Sequence, residues 1–178
     1  SGITDIIDIC STYNSSTKGA FAALRENGQV ITWGCVGCVG FQVGEDSSGV
    51  QAELVNVVKI FATRDAFAAL KSDGSVVTWG GVRGGYSDPV AADLSSGVTW
   101  ISAQWHSFAA LKEDGTVVHW GSSENGGTDW YDVKSDLTNA VTANVIQIYD
   151  NVWAFAALKS DGSVVTWGHE TNRPNGSD

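Results

Sequence analysis

The chain has 178 residues, enough for one domain with its own core, and 43% of them are hydrophobic, which excludes a disordered chain. Twenty acidic residues against ten basic ones give a formal charge of −10, and without a Lys/Arg cluster to release phosphate counterions neither nucleic acid nor an anionic membrane is expected as a partner. No apolar run is long enough to span a bilayer as a helix, no signal peptide is visible, and with no Met anywhere the chain is expected to be processed or a fragment, of unassigned compartment.

Taken in chain order, the sequence repeats itself. The first unit (1–46) predicts a strand over 3–9, an enlarged loop from Ser11 to Gly19, and the segment AFAALRENGQVITWG over 20–34. The second (47–91) predicts a strand over 55–60, the short loop Thr63-Arg64-Asp65, and AFAALKSDGSVVTWG over 66–80. In the third (92–137) the strand covers 98–101, Trp105 and His106 occupy the loop, and SFAALKEDGTVVHWG fills 107–121. The fourth (138–178) predicts a strand over 145–148, places Trp153 in the loop, and repeats the fifteen letters of the second at 154–168. Four copies of one supersecondary unit make a single repeat domain over 1–178.

Each fifteen-residue segment reads as a β-hairpin. Asn27-Gly28, Asp73-Gly74, Asp114-Gly115 and Asp161-Gly162 supply the backbone freedom of a tight turn. The second arm, as in Val76-Val77-Thr78-Trp79, is β-branched and aromatic. The arms do not alternate between apolar and polar: Phe67, Ala68, Ala69 and Leu70 are all apolar. A strand apolar on both sides is covered on both sides. Small antiparallel sheets stacked face to face meet that need, as in a β-propeller. The expected fold is therefore all-β: four propeller-type blades of three strands, with room for a fourth in each connector. They form either a closed ring or a partial propeller completed by another chain. Trp33, Trp79, Trp120 and Trp167 hold one repeated position and are expected to be structural core.

The pattern AFAALKxDGxVxTWG resembles the repeat of the regulator of chromosome condensation family. His106-Ser107 before Phe108-Ala109-Ala110-Leu111 matches the His-Ser or His-Thr that often opens that strand in the family. The resemblance covers nearly the whole chain. It implies a propeller, a structural His106 and a role in binding protein partners. Family members include an exchange factor, ubiquitin-ligase modules and an enzyme inhibitor, none of whose contact residues map onto loops here. The family usually closes seven blades, whereas this chain carries four repeats. The Gly-Gln-Leu-Gly that often follows the Trp-Gly is reduced to Gly40-Phe41-Gln42-Val43-Gly44, and three of the four repeats lack the His.

Several residue types invite a chemical reading. Cys35-Val36-Gly37-Cys38 has the spacing of a redox pair or half a zinc site, with Cys10 a third potential ligand. The competing reading, a Gly-rich connector with two small side chains, is preferred, and a disulfide stays open. One Asp before Gly in each turn is explained by turn geometry rather than by calcium. His119 replaces a Thr of the other repeats, and His169 lies in the tail. Sequons at Asn14 and Asn175 bear only weakly on compartment. No nucleophile elbow is present, so no catalytic activity, metal or cofactor is expected.

The loops before the FAAL strands differ from repeat to repeat while the framework does not. Equivalent loops of a propeller share one face, and individual loops on a repeated scaffold are expected of a binding face. Tyr13, Lys18, Arg64, Asp65, Trp105, His106 and Trp153 are the candidate partner-binding residues. Packing of Trp105 and Trp153 on their neighbours alone is the competing reading. The function expected is non-enzymatic protein–protein recognition. The alternatives are an accessory subunit of a larger assembly, membrane-bound assemblies included, and a glycan-binding propeller. Because the first and last repeats are as apolar as the middle ones, a contact with another copy or partner is expected at the terminal blades.

Overall fold

The computed structural model describes residues 3–12, 19–34, 46–122 and 143–168. It is all-β, with four three-stranded antiparallel sheets in chain order. The first holds β1 (Ile6–Ser11), β2 (Ala20–Arg25) and β3 (Val30–Gly34); the second holds β4 (Val57–Ala62), β5 (Ala66–Lys71) and β6 (Val76–Gly80). The third holds β7 (Val98–Ala103), β8 (Ser107–Lys112) and β9 (Val117–Gly121); the fourth holds β10 (Val145–Asp150), β11 (Ala154–Lys159) and β12 (Val164–Gly168). A short helix α1 (Val82–Gly85) and a 3-10 turn (Asp88–Val90) occupy the connector after the second sheet.

The register is the same in every blade. The repeated Phe stands opposite the repeated Trp: Phe21 and Trp33, Phe67 and Trp79, Phe108 and Trp120, Phe155 and Trp167. Each pair stacks, with ring centroids 5.2–5.5 Å apart. The first strand of each blade runs further than the sequence suggests, and in the first two blades it also starts later, as in Val57–Ala62 against 55–60. Its start is set by the residue before it: Asn56 and Asn144 are left-handed, at φ 57° and 61°, which ends the connector in a sharp bend.

The two-sided apolar pattern has a direct structural meaning. Phe67, Ala69, Val77 and Trp79 pack on the preceding blade, against Ala20, Ala22, Leu24 and Val30. Ala66, Ala68 and Leu70 pack on the following blade, against Phe108, Ala110, Val118 and Trp120. Ala109, Leu111 and Val117 then meet Phe155 and Ala157. Each blade thus has a ring-bearing face turned back and an Ala/Leu face turned forward. Small side chains on one face admit the large rings of the next, which lets the blades approach closely. The connectors contribute too: Leu54 and Leu94 are fully buried within the first and second of these interfaces.

The blades are also tied by backbone bonds. Val57, Val98 and Val145 each donate an N–H to the turn glycine of the preceding blade, Gly28, Gly74 and Gly115, at 2.9–3.0 Å. The hairpin turns are three-residue loops. Gly74 N–H donates to Lys71 C=O at 3.0 Å and Lys71 N–H to Ser75 C=O at 2.9 Å, with Gly74 alone left-handed at φ 77°. Asp73 caps the turn: its Oδ1 accepts from the Ser75 hydroxyl at 2.6 Å and the Ser75 N–H at 2.9 Å.

The same pair of bonds recurs at Asp114 with Thr116 and at Asp161 with Ser163. These hydrogen bonds, side-chain first and backbone second, hold the three carboxyls below their ordinary value of 3.8. A carboxylate whose pKa is lower in the folded state stabilises fully above its unfolded value and loses that contribution as pH falls through the folded one. The melting temperature should therefore drop on acidification below about pH 4. The triple variant D73N/D114N/D161N, which copies the Asn already present at Asn27, should show a shallower drop. Superimposable acid profiles for parent and variant would remove the turns as the cause.

Of the two expected arrangements the structure has the partial propeller: among the described residues the first and last sheets do not close on one another, which leaves an open arc. One expectation is corrected. Trp33, expected in the core with its three counterparts, is 44% exposed, whereas Trp79 and Trp120 are 4% and 1% exposed and Trp167 is half-buried. The position is repeated but its surroundings are not, because among the described residues no blade packs on the ring-bearing face of the first.

Candidate functional site

The first strands of successive blades, β1, β4, β7 and β10, lie side by side on the inner side of the arc. Their last residues occupy one register position: Ser11, Ala62, Ala103 and Asp150 each stand opposite the repeated Phe. All four line a concave pocket of 580 Å³, together with Thr63, Arg64, Gln104, Trp105, Asn151 and Val152 from the loops that follow. The repeat geometry alone brings residues from four blades to one place. The volume falls within the range of ligand pockets, about 300–1,000 Å³.

The residue after each inner strand starts the turn into the hairpin. Thr12 Oγ1 accepts from Ala20 N–H at 2.9 Å, Thr63 Oγ1 from Ala66 N–H at 3.1 Å, and Asn151 Oδ1 from Ala154 N–H at 2.9 Å. The third blade departs from this rule. Gln104 keeps the backbone bond to Ser107 C=O at 3.0 Å, but its longer side chain makes no such cap. Gln104 is 95% buried, and neither its Nε2 nor its Oε1, both enclosed, has a hydrogen-bond partner. A buried amide with both ends unmatched costs on the order of 1–3 kcal/mol, so it stands out in a native interior.

The expected partner-binding residues of blades two, three and four form one cluster. Arg64 donates its backbone N–H to Trp105 C=O at 2.8 Å, and its guanidinium carbon lies 5.4 Å from the Trp105 ring centroid. Trp105 meets Trp153 edge-on at 4.4 Å between centroids and stacks on His106 at 5.5 Å. His106 is buried, with Nε2 3.6 Å from an Asp65 oxygen. Trp153 is 40% exposed. Asp150 accepts a hydrogen bond from the Ser102 hydroxyl across the third and fourth blades. Tyr13 and Lys18 lie outside the described residues, as do Cys35 and Cys38.

Gln104 was not among the residues singled out by sequence. A Gln at a strand end carries no local signal. Aligning the four repeats would have shown it as the one long amide among Thr12, Thr63 and Asn151. Among the described residues no three His, Cys, Asp or Glu side chains are placed to share a metal ion. The Cys10 thiol is pushed up to about 12 by burial and by the Asp8 charge, so it stays protonated and unreactive at neutral pH.

Stacked three-stranded blades define a propeller-type fold, with a pocket built from the inner strand ends and the loops after them. No family model matches the chain, and no curated protein matches it. Solved structures do. The chain is similar to Prp20p from Saccharomyces cerevisiae, with a TM-score of 0.60 and 21% identity over 92% of this chain and 44% of that one. The same yeast RCC1 protein bound to Kap60 gives a TM-score of 0.59 at 21% identity, over 92% and 43% of the two chains. Human WBSCR16 gives 0.51 at 20% identity, over 92% and 47%. At these identities the likeness shows the fold, and this chain spans less than half the length of each of these neighbours.

Proposed function

We propose that the chain is a non-catalytic protein-recognition module, one repeat domain over 1–178, which takes a peptide segment of its partner at the inner-strand pocket. The observation that carries this reading is the pocket itself, where the ends of four inner strands and the loops that follow them converge. In it, Ala62, Ala103, Val152 and the Trp105 ring supply apolar surface, while Arg64 and Asp150 supply one charge of each sign. Aromatic and Arg side chains beside a concave surface are typical anchors of protein interfaces. Prp20p, whose fold is similar, is described with binding to Gsp1p and histones, which supports protein partners as the class.

A display library of random peptides on the immobilised chain tests the reading, with a glycan array run alongside. Peptides should be enriched, and binding should weaken at least about tenfold in Arg64→Ala and in Trp105→Ala. Enriched peptides indifferent to both changes would move the site elsewhere. Glycans retained in place of peptides would favour the stacking role of Trp105 and Trp153.

A further inference from the structure

The outer faces of the arc are two halves of an interface that the molecule already makes three times. On the first blade, the ring-bearing face shows Ile9 at 56%, Phe21 at 41% and Trp33 at 44% exposure. Their counterparts in the second blade, Ile60, Phe67 and Trp79, are at most 4% exposed because the first blade covers them. On the fourth blade, the forward face shows Tyr149 at 51% and Val164 at 61% exposure, with Ala154, Ala156 and Leu158 partly open. The hairpin that carries this face has the same fifteen letters as that of the second blade. There Ala66, Ala68 and Leu70 are covered by Phe108, Ala110 and Trp120.

The terminal turn tells the same story. A Cβ on Gly28, Gly74 or Gly115 would meet the backbone of Asn56, Gly97 or Asn144 in the next blade within 2.8–3.2 Å, whereas around Gly162 nothing lies within 4 Å. The seat that the next blade takes at the other three turns is open at the fourth.

We propose that a second copy of this chain fills both places, head to tail, with the first blade of each copy seated on the fourth blade of the other. The match is chemical and positional: Ile9, Phe21 and Trp33 meet Tyr149, Ala156 and Val164 in the register of the internal interfaces. None of these side chains is charged, and a contiguous exposed apolar patch of this kind marks an interaction surface. The contact joins two different faces, so it is heterologous, and two copies close it without free ends. Each copy carries a charge of −10, so association should strengthen with salt as repulsion is screened.

Light scattering on the 178-residue chain, over a concentration series, should give the mass of two chains. Trp33→Lys breaks only the ring-bearing face and Val164→Lys only the forward face; both positions point outward, and circular dichroism should confirm that each variant folds. Each variant alone should run as a monomer. An equimolar mixture should recover the two-chain species at higher concentration, because one intact face of each kind remains. A chain that stays monomeric at all concentrations overturns the proposal and leaves both faces to another occupant, such as further blades of a longer polypeptide. A two-chain species that survives either change, or a mixture that stays monomeric, also overturns it.

Discussion

Replacing Trp120 with Ala should cost about 3–5 kcal/mol of folding free energy, whereas the same change at Trp33 should cost the separate chain no more than about 1 kcal/mol. The two residues hold one repeated position, and both stack on the Phe opposite. Their surroundings differ. Trp120 is 1% exposed, packs in the interface of the second and third blades, and donates its Nε1–H to Gly84 C=O in α1 at 2.9 Å. Removing it opens a cavity the size of an indole and leaves that carbonyl without its partner. Trp33 is 44% exposed, and its loss leaves no cavity. Urea unfolding at a dilution where chains are apart reads both values. Equal losses at the two sites would mean that the first blade's ring face is covered within the chain itself.

The second large effect is expected at Gly121, the glycine of the third Trp-Gly pair. It sits at φ 116°, and an added Cβ would lie 2.4 Å from His106 C=O and 2.6 Å from Ser107 Cα. Both atoms are backbone, in or beside the β8–β9 pairing that sets Ser107 opposite Gly121, so neither can yield alone. Gly121→Ala should destabilise by more than about 3 kcal/mol, combining left-handed strain with the overlap. Gly49→Ala, where nothing lies within 4 Å, is the control and should melt with the parent. A Gly121→Ala chain that also melts with the parent would refute this account of the Trp-Gly pair. Because His106 lies against that glycine, the variant should also weaken peptide binding at the neighbouring loops.

Much of the architecture was legible in the residues. Four copies of one hairpin gave the blade count, and apolar residues on both sides of Phe67-Ala68-Ala69-Leu70 required cover on both sides. That requirement is met by neighbouring blades, with alternate residues facing back and forward. The loop residues Arg64, Asp65, Trp105, His106 and Trp153 could be grouped before any coordinates, since equivalent positions of stacked repeats fall on one side. Why glycine follows each repeated Trp was not legible. The crowding at Gly121 comes from His106 and Ser107, which are far from it in sequence and adjacent only through strand pairing.

What the sequence by itself determined, then, is everything that depends on a residue and its near neighbours: strands, turns, the repeat, and which side chains need burial. Tertiary structure decided the rest, because burial is a property of what stands opposite. Trp33 and Trp79 have the same Phe partner across their hairpins, but only Trp79 has a blade in front of it. The buried, unmatched amide of Gln104 has a similar origin. Its burial arises from inner strands of different blades converging at one pocket, and its lack of a partner from a side chain too long for the cap that Thr12, Thr63 and Asn151 make.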